Sequence, residues 1–297
     1  MCFGVKDAIA LALEQARTRP LTVLGELVHN ETVLAGLRAR GIEFQDDAGE
    51  VATQTVMITA HGASERRMSA VRGRGLKVLE ATCPLVHVAH QAVEKLVRDG
   101  FHPIIIGKRD HVEVRGLTED LAEFDVLLSE SDVLQLKEQP RFGIAAQTTQ
   151  PIEHVRRLVE LIRRRFPDSE VRFIDTVCRP TKQRQNAAVE LAQHCDVVVV
   201  IGGANSNNTR ELVKTCSRYC LRVHHVQAAH DLRPEWFPGA QTVGITAGTS
   251  TPDSLINEVE QWLLQCRTDA PFGSSGSRER GEVKCVGDRA ARITLPE

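Results

Sequence analysis

Short apolar runs, each closed by a glycine or a small polar turn, alternate along the chain with longer stretches whose apolar positions fall three and four apart. The short runs read as strands and the longer stretches as amphipathic helices. Their alternation predicts an α/β fold with mainly parallel sheets.

One theme recurs within that alternation. KVLEATC runs into Cys83 and FIDTVC into Cys178, and in each an apolar strand is followed by an acidic residue, a small polar residue, cysteine and a helix start with proline close behind. Cys2 opens a helix in the same manner, with GVKDAIALALEQA after it. A second element keeps the register: Gly25 closes LTVLG, Gly107 closes PIIIG and Gly202 closes VVVVIG, lying 23, 24 and 24 residues after Cys2, Cys83 and Cys178. The third is a strand emptying into a polar loop, in TVMITAHGAS from Thr55, FGIAAQTTQP from Phe142 and TVGITAGTSTP from Thr242. A period this long exceeds that of solenoid repeats. The expectation is three pseudo-equivalent α/β units around a central cluster cavity: 1–82, 83–177 and 178–266. Residues 267–297 read as a polar, Gly/Ser-rich linker and a C-terminal clasp. Because ligands collect at the carboxyl ends of parallel strands, the cysteine, glycine and polar loops are expected to line one site.

Composition narrows the function. A 297-residue chain that is 42% hydrophobic can bury a substantial core, and its net charge of -2 argues against a broad basic surface for nucleic acid or anionic lipid. Aromatic residues are only 4%, with one tyrosine, too few for a base-stacking platform. No apolar stretch reaches the roughly 20 residues of a membrane span, and no charged-then-apolar leader opens the chain. A cytoplasmic location is therefore expected, with the eight cysteines kept as thiols.

Cys2, Cys83 and Cys178 are the cysteines that recur, one per repeat. Structural zinc usually takes four ligands, often in C-x-x-C pairs, which are absent here. A cubane iron-sulfur cluster held by three thiolates leaves one iron open to substrate, which suits catalysis. The competing reading is a buried core thiol, the common fate of a free cysteine, and the threefold recurrence weighs against it. Cys195, Cys216, Cys220, Cys266 and Cys285 do not recur and read as structural or surface thiols, although Cys216 and Cys220, four apart on a predicted helix, have the spacing of a metal clip.

The loops after the strands hold His29 in GELVHNE, His61 in TAHGAS, and His111 with Glu113 in GKRDHVEVRG. The third repeat has Asn205, Ser206, Asn207 and Asn208 before a helix, an arrangement that serves either as an anion site or as ordinary N-capping. The Gly248-Thr249-Ser250 loop has the same two readings. Neither a Walker lysine loop nor a G-x-G-x-x-G after the first strand is present, so nucleotide hydrolysis and NAD binding have no signal. The run RRLVELIRRRF from Arg156 reads as a solvated helix face, with attraction of an acidic electron donor as the alternative.

Taken together, CFGVKDAI, ELVHNETV, ITAHGAS, EATCPLV, GKRDHVEVRG, AAQTT, DTVCRPTKQRQ, NSNNTREL and GITAGTSTPD resemble, in order, the motifs of the 4-hydroxy-3-methylbut-2-enyl diphosphate reductases, the LytB or IspH family of the non-mevalonate isoprenoid pathway. The resemblance covers nearly the whole chain. It implies a 4Fe-4S cluster, one per chain, held by Cys2, Cys83 and Cys178, and a substrate-diphosphate site made by His29, His61, His111, Ser206, Asn208 and Ser250, with Asn207 where many members have a second serine. It further implies that Glu113 delivers protons, that Thr148 orients that group and the substrate hydroxyl, and that a ferredoxin or flavodoxin-type protein supplies electrons. The one departure is at the start, where the family pattern has a strand ahead of the first cysteine and Met1 here abuts Cys2. A redox sensor or other non-catalytic iron-sulfur protein on the same scaffold is the reading from another class. It has no use for the donors in the polar loops or for Glu113. A metal-free hydrolase or transferase lacks a defensible Ser/His/Asp order.

Overall fold

In the computed structural model, residues 1–265, 282–285 and 290–294 are described. The first stretch runs α1 (Phe3–Ala16), β1 (Leu21–Leu24), α2 (Glu31–Arg38), β2 (Ile42–Gln45), β3 (Thr55–Ile58), α3 (Glu65–Gly73) and β4 (Lys77–Glu80). The second runs α4 (Pro84–Arg98), β5 (His102–Ile106), α5 (Val112–Thr118), β6 (Asp125–Leu127), α6 (Glu130–Gln135), β7 (Arg141–Ala146), α7 (Ile152–Arg165) and β8 (Glu170–Phe173). The third runs α8 (Arg179–His194), β9 (Val197–Ile201), α9 (Asn207–Cys216), β10 (Val223–Val226), β11 (Thr242–Ala247), α10 (Asp253–Gln265), β12 (Glu282–Cys285) and β13 (Ala290–Thr294).

The fold is α/β with three mainly parallel sheets, and their strand orders repeat: β2-β1-β3-β4, β6-β5-β7-β8 and β10-β9-β11-β13-β12. Pairing is parallel throughout the first two sheets. In the third, β13 occupies the place of β4 and β8 but runs antiparallel to β11, as β12 does to β13. Central strands such as β1 and β9 are buried along their whole length. Helices cover both faces of such strands, which is why they read as continuous rather than alternating apolar runs. The edge strands β4 and β8 keep exposed Lys77, Glu80 and Glu170, charges that discourage further pairing.

Packing divides the chain into two compact units. The larger comprises Cys2–Val28 and Thr32–Cys178, with the first two sheets; the smaller takes the chain from Arg179 on, together with Met1 and His29–Glu31. In each, a helix that follows a cysteine lies close on the third strand of its sheet. Leu96 of α4 crowds Gly143, and Leu191 of α8 crowds Gly244: a Cβ at either glycine would lie 3.0 or 3.3 Å from the leucine Cβ. Both leucines stand 13 residues after their cysteine, so the repeat extends into the packing. Among the described residues no helix is long and apolar enough to cross a membrane.

The basic run is α7. Its buried stripe is Ile152, Val155, Leu158, Val159 and Ile162. Its arginines lie on the exposed side, where Arg156 pairs with Glu153 at 2.9 Å, Arg163 with Glu160 at 2.6 Å, and Arg157 with Glu130 of α6. Such exposed pairs contribute at most about 1 kcal/mol each. The predicted linker and Cys266 lie outside the described residues, as does the side chain of Cys285.

Candidate active site

In the larger unit the three recurring cysteines stand at helix starts. Cys2 caps α1 and Cys83 caps α4, neither side chain accepting a capping hydrogen bond, and Cys178 directly precedes α8. None of the three is in a disulfide, and all are of intermediate exposure. Two are tied to the loop after a third strand: Cys83 N–H donates to the Ala60 carbonyl at 3.0 Å, and Cys178 N–H to the Thr148 carbonyl at 3.0 Å. Burial pushes the Cys83 thiol above its ordinary range, and the neighbouring charges of Cys2 and Glu113 push it the same way. Ionised, the Cys2 and Cys83 sulfurs would repel one another unless a cationic centre bound them. Soft thiolate donors at helix N-termini suit an iron-sulfur centre. The first turn of α1 is shaped around this sulfur, for a Cβ at Gly4 would lie 2.7 Å from Cys83 Sγ. Gly4→Ala is therefore expected to lower iron and sulfide content per chain in anaerobically prepared protein. Wild-type content would show that α1 yields freely.

Glu113 sits in the first turn of α5 and is 1% exposed. Thr148 N–H donates to its Oε1 at 2.6 Å and Thr148 Oγ1–H to its Oε2 at 2.9 Å. Both bonds favour the carboxylate, yet burial prevails and pushes Glu113 up to about 7. Gln147 holds the two loops in place: its Oε1 accepts from Lys108 N–H at 3.1 Å, and its Nε2 donates to Thr149 Oγ1 at 3.1 Å. His111 is the N-cap of α5, with Nδ1 accepting from Glu113 N–H at 3.1 Å. In the neutral ring that bond leaves the proton on Nε2, a donor. His61 meets His111 edge to face, with ring centroids 5.6 Å apart, and its Nδ1 lies 3.4 Å from Thr59 Oγ1. His61, His111, Glu113, Thr148 and the three cysteines all fall within this unit.

The smaller unit gathers the remaining sequence-predicted donors at the N-terminus of α9. Ser206 caps the helix, its Oγ accepting from Thr209 N–H at 3.3 Å. Asn207 Nδ2, Asn208 Nδ2, Thr209 Oγ1 and Ser250 Oγ are buried with no hydrogen-bond partner among the described residues. An unsatisfied buried polar group costs about 1–3 kcal/mol, so this helix start is built to receive an acceptor. Thr209 was not singled out by its residue type: glycine loops close over it, a Cβ at Gly202 or Gly248 coming within 2.4 or 2.2 Å of its Oγ1. The sequence signal available was its place in NSNNTREL. His29 belongs to the same unit, and Gly203 lies on its backbone, where a Cβ would be 2.3 Å from the His29 carbonyl oxygen. Neither partner there is the tip of a flexible side chain, so Gly203→Ala is expected to lower stability by about 1–3 kcal/mol, readable as a fall in Tm. An unchanged Tm would show that the loop can move away.

The non-recurring cysteines here are structural. Cys216 ends α9 and Cys220 lies beyond it, so the expected helical pair is not on one helix. With Cys195 they are buried among apolar side chains. Cys216 donates to the Ala188 carbonyl at 3.7 Å, and Cys220 to the Arg222 carbonyl at 3.5 Å. Burial pushes the Cys195 thiol up to about 11 and Cys216 to about 12, which leaves both inert.

The family model described as LytB protein matches residues 1–264. The chain belongs to the LytB family. A relative from Trichlorobacter lovleyi named 4-hydroxy-3-methylbut-2-enyl diphosphate reductase is 38% identical over 89% of this chain and 94% of its own length. A solved structure of (E)-4-hydroxy-3-methyl-but-2-enyl diphosphate reductase, described as the terminal enzyme of the non-mevalonate pathway, is 36% identical with a TM-score of 0.65, covering 89% of this chain and 96% of that one. The E-1-hydroxy-2-methyl-but-2-enyl-4-diphosphate reductase from Plasmodium falciparum is 27% identical with a TM-score of 0.82, covering 92% and 86%. The LytB motifs that carry the resemblance are those that hold the cysteines, Glu113 and the α9 start.

Proposed function

We propose that this LytB protein is the iron-sulfur reductase that converts (E)-4-hydroxy-3-methylbut-2-enyl diphosphate to isopentenyl and dimethylallyl diphosphate in the cytoplasm. The observation that carries the reading is Glu113, a buried carboxyl held by Thr148 and poised near neutrality, in the same unit as three cysteines at helix starts. Cys2, Cys83 and Cys178 hold one 4Fe-4S cluster per chain. When bound, the cluster supplies two electrons, received singly from a ferredoxin or flavodoxin-type donor. Two protons are also consumed: the allylic C–O bond breaks, a C–H bond forms, and the hydroxyl leaves as water.

The chain's residues manage the charge and the protons. His61 and His111, with Nε2–H of His111 as donor, and His29, Ser206, Asn207, Asn208 and Ser250 are the diphosphate ligands. Neutral and imidazole donors suit a polyanionic diphosphate group. Thr148 orients Glu113 and the substrate hydroxyl, and Glu113 delivers the proton. Iron and sulfide analysis of anaerobically purified protein tests the cluster, and a rise in Tm with inorganic pyrophosphate tests the anion site. A colourless protein with stoichiometric zinc would overturn the first assignment, and an unmoved Tm at saturating pyrophosphate the second.

A further inference from the structure

His90 lies on α4, seven residues and so two turns after Cys83, on the same face of the helix. Its Nε2 is buried with no hydrogen-bond partner among the described residues, and burial lowers its basicity. Two glycines make room for it. A Cβ at Gly62 would lie 3.3 Å from His90 Nε2, and one at Gly116 would lie 3.7 Å from His90 Cε1. Gly62 follows His61 and turns the chain with φ of 74°, in the left-handed region that favours glycine. Gly116 stands one turn after Glu113 on α5, and its bare face also receives Ala63, whose Cα would be 3.6 Å from an added Cβ. The imidazole is thus wedged between the turn that presents His61 and the helix that presents His111 and Glu113.

We infer that His90 is a positioning residue of the reductase, its ring setting the spacing between the His61 turn and the α5 N-terminus. The inference rests on the proposed function. A leucine would fill an ordinary core position without leaving a buried nitrogen unsatisfied, whereas a flat ring fits the slot between two glycines. A side chain that only fills space would, on truncation, lower Tm and cluster content together and leave the kinetics per intact cluster unchanged. A spacer behaves otherwise, because misplacing a binding or proton-transfer group by about 1 Å can cost up to 10²-fold in rate.

The test is steady-state reduction of the hydroxy-diphosphate substrate by anaerobic holoenzyme, with kcat and KM normalised to bound iron. His90→Ala is expected to raise KM and lower kcat, for a loss in kcat/KM of about 10-fold or more, and His90→Phe, which restores a flat ring, to recover most of it. Should His90→Ala not fold, His90→Leu retains the buried volume and is expected to show the same loss. Wild-type kcat/KM per cluster in the Ala or Leu variant, or no recovery with Phe, would overturn the inference. A wild-type holoenzyme that fails to turn over would instead remove the proposed function on which it rests.

Discussion

Cys83→Ser and Cys178→Ser, prepared anaerobically, are expected to lose most of their iron and acid-labile sulfide while remaining folded. The side chains differ only in the donor atom, and a serine hydroxyl does not ionise at neutral pH as a ligating thiol does. The backbone bonds that place the two residues, to the Ala60 and Thr148 carbonyls, survive the change. The loss therefore reports ligation rather than misfolding, and a rise in Tm with pyrophosphate as large as that of wild type would verify that the variants are folded. Cys195→Ser is the control. That thiol is buried in an apolar cluster and pushed up to about 11, and its removal is expected to leave iron unchanged. Wild-type iron in either cysteine-ligand variant would remove that residue from the ligand set.

Glu113→Gln is expected to keep iron content and pyrophosphate binding while lowering turnover by roughly 10²- to 10⁴-fold, the usual worth of a positioned acid or base. Hydroxide is a poor leaving group, water having a pKa of about 15.7, so the departing oxygen needs a proton. A carboxyl at about 7 is protonated in a useful fraction of molecules at neutral pH and can be recharged between turnovers. Wild-type turnover should accordingly fall as pH rises through about 7. Stability moves with it: because folding raises this carboxyl from 4.5 to about 7, its contribution is fully present below 4.5 and is lost as pH rises through 7. Glutamine has no such loss, so the variant should gain stability relative to wild type over the same range. The competing role is a surface ion pair with Arg109 or Arg115, and 1% exposure with both oxygens on Thr148 speaks against it. Near wild-type turnover of Glu113→Gln with an artificial one-electron donor would refute the assignment.

Much of this was legible in the sequence because backbone periodicity and punctuation are local. The apolar runs, the glycines after them and the cysteines before helices specify three similar sheets, since each signal acts within a few residues. The antiparallel β13 completing the third sheet is different: its partner β11 lies far back in the chain, and nothing in ARITLPE states the direction of pairing. The same limit applied within the site. Glu113 was visible as a carboxyl in a polar loop, but its burial and its two bonds to Thr148 arise from a neighbouring strand end. In sequence Thr209, Gln147 and His90 look like ordinary helix or loop residues, and only packing reveals what lies against each.

The most direct test of the reductase assignment is product analysis after anaerobic incubation of the full chain with (E)-4-hydroxy-3-methylbut-2-enyl diphosphate and a reduced one-electron donor. The expected result is loss of the hydroxyl to give isopentenyl and dimethylallyl diphosphate, with two electrons consumed per product, and no turnover in Cys83→Ser. A protein carrying its full complement of iron and sulfide that returns the substrate unchanged would contradict it.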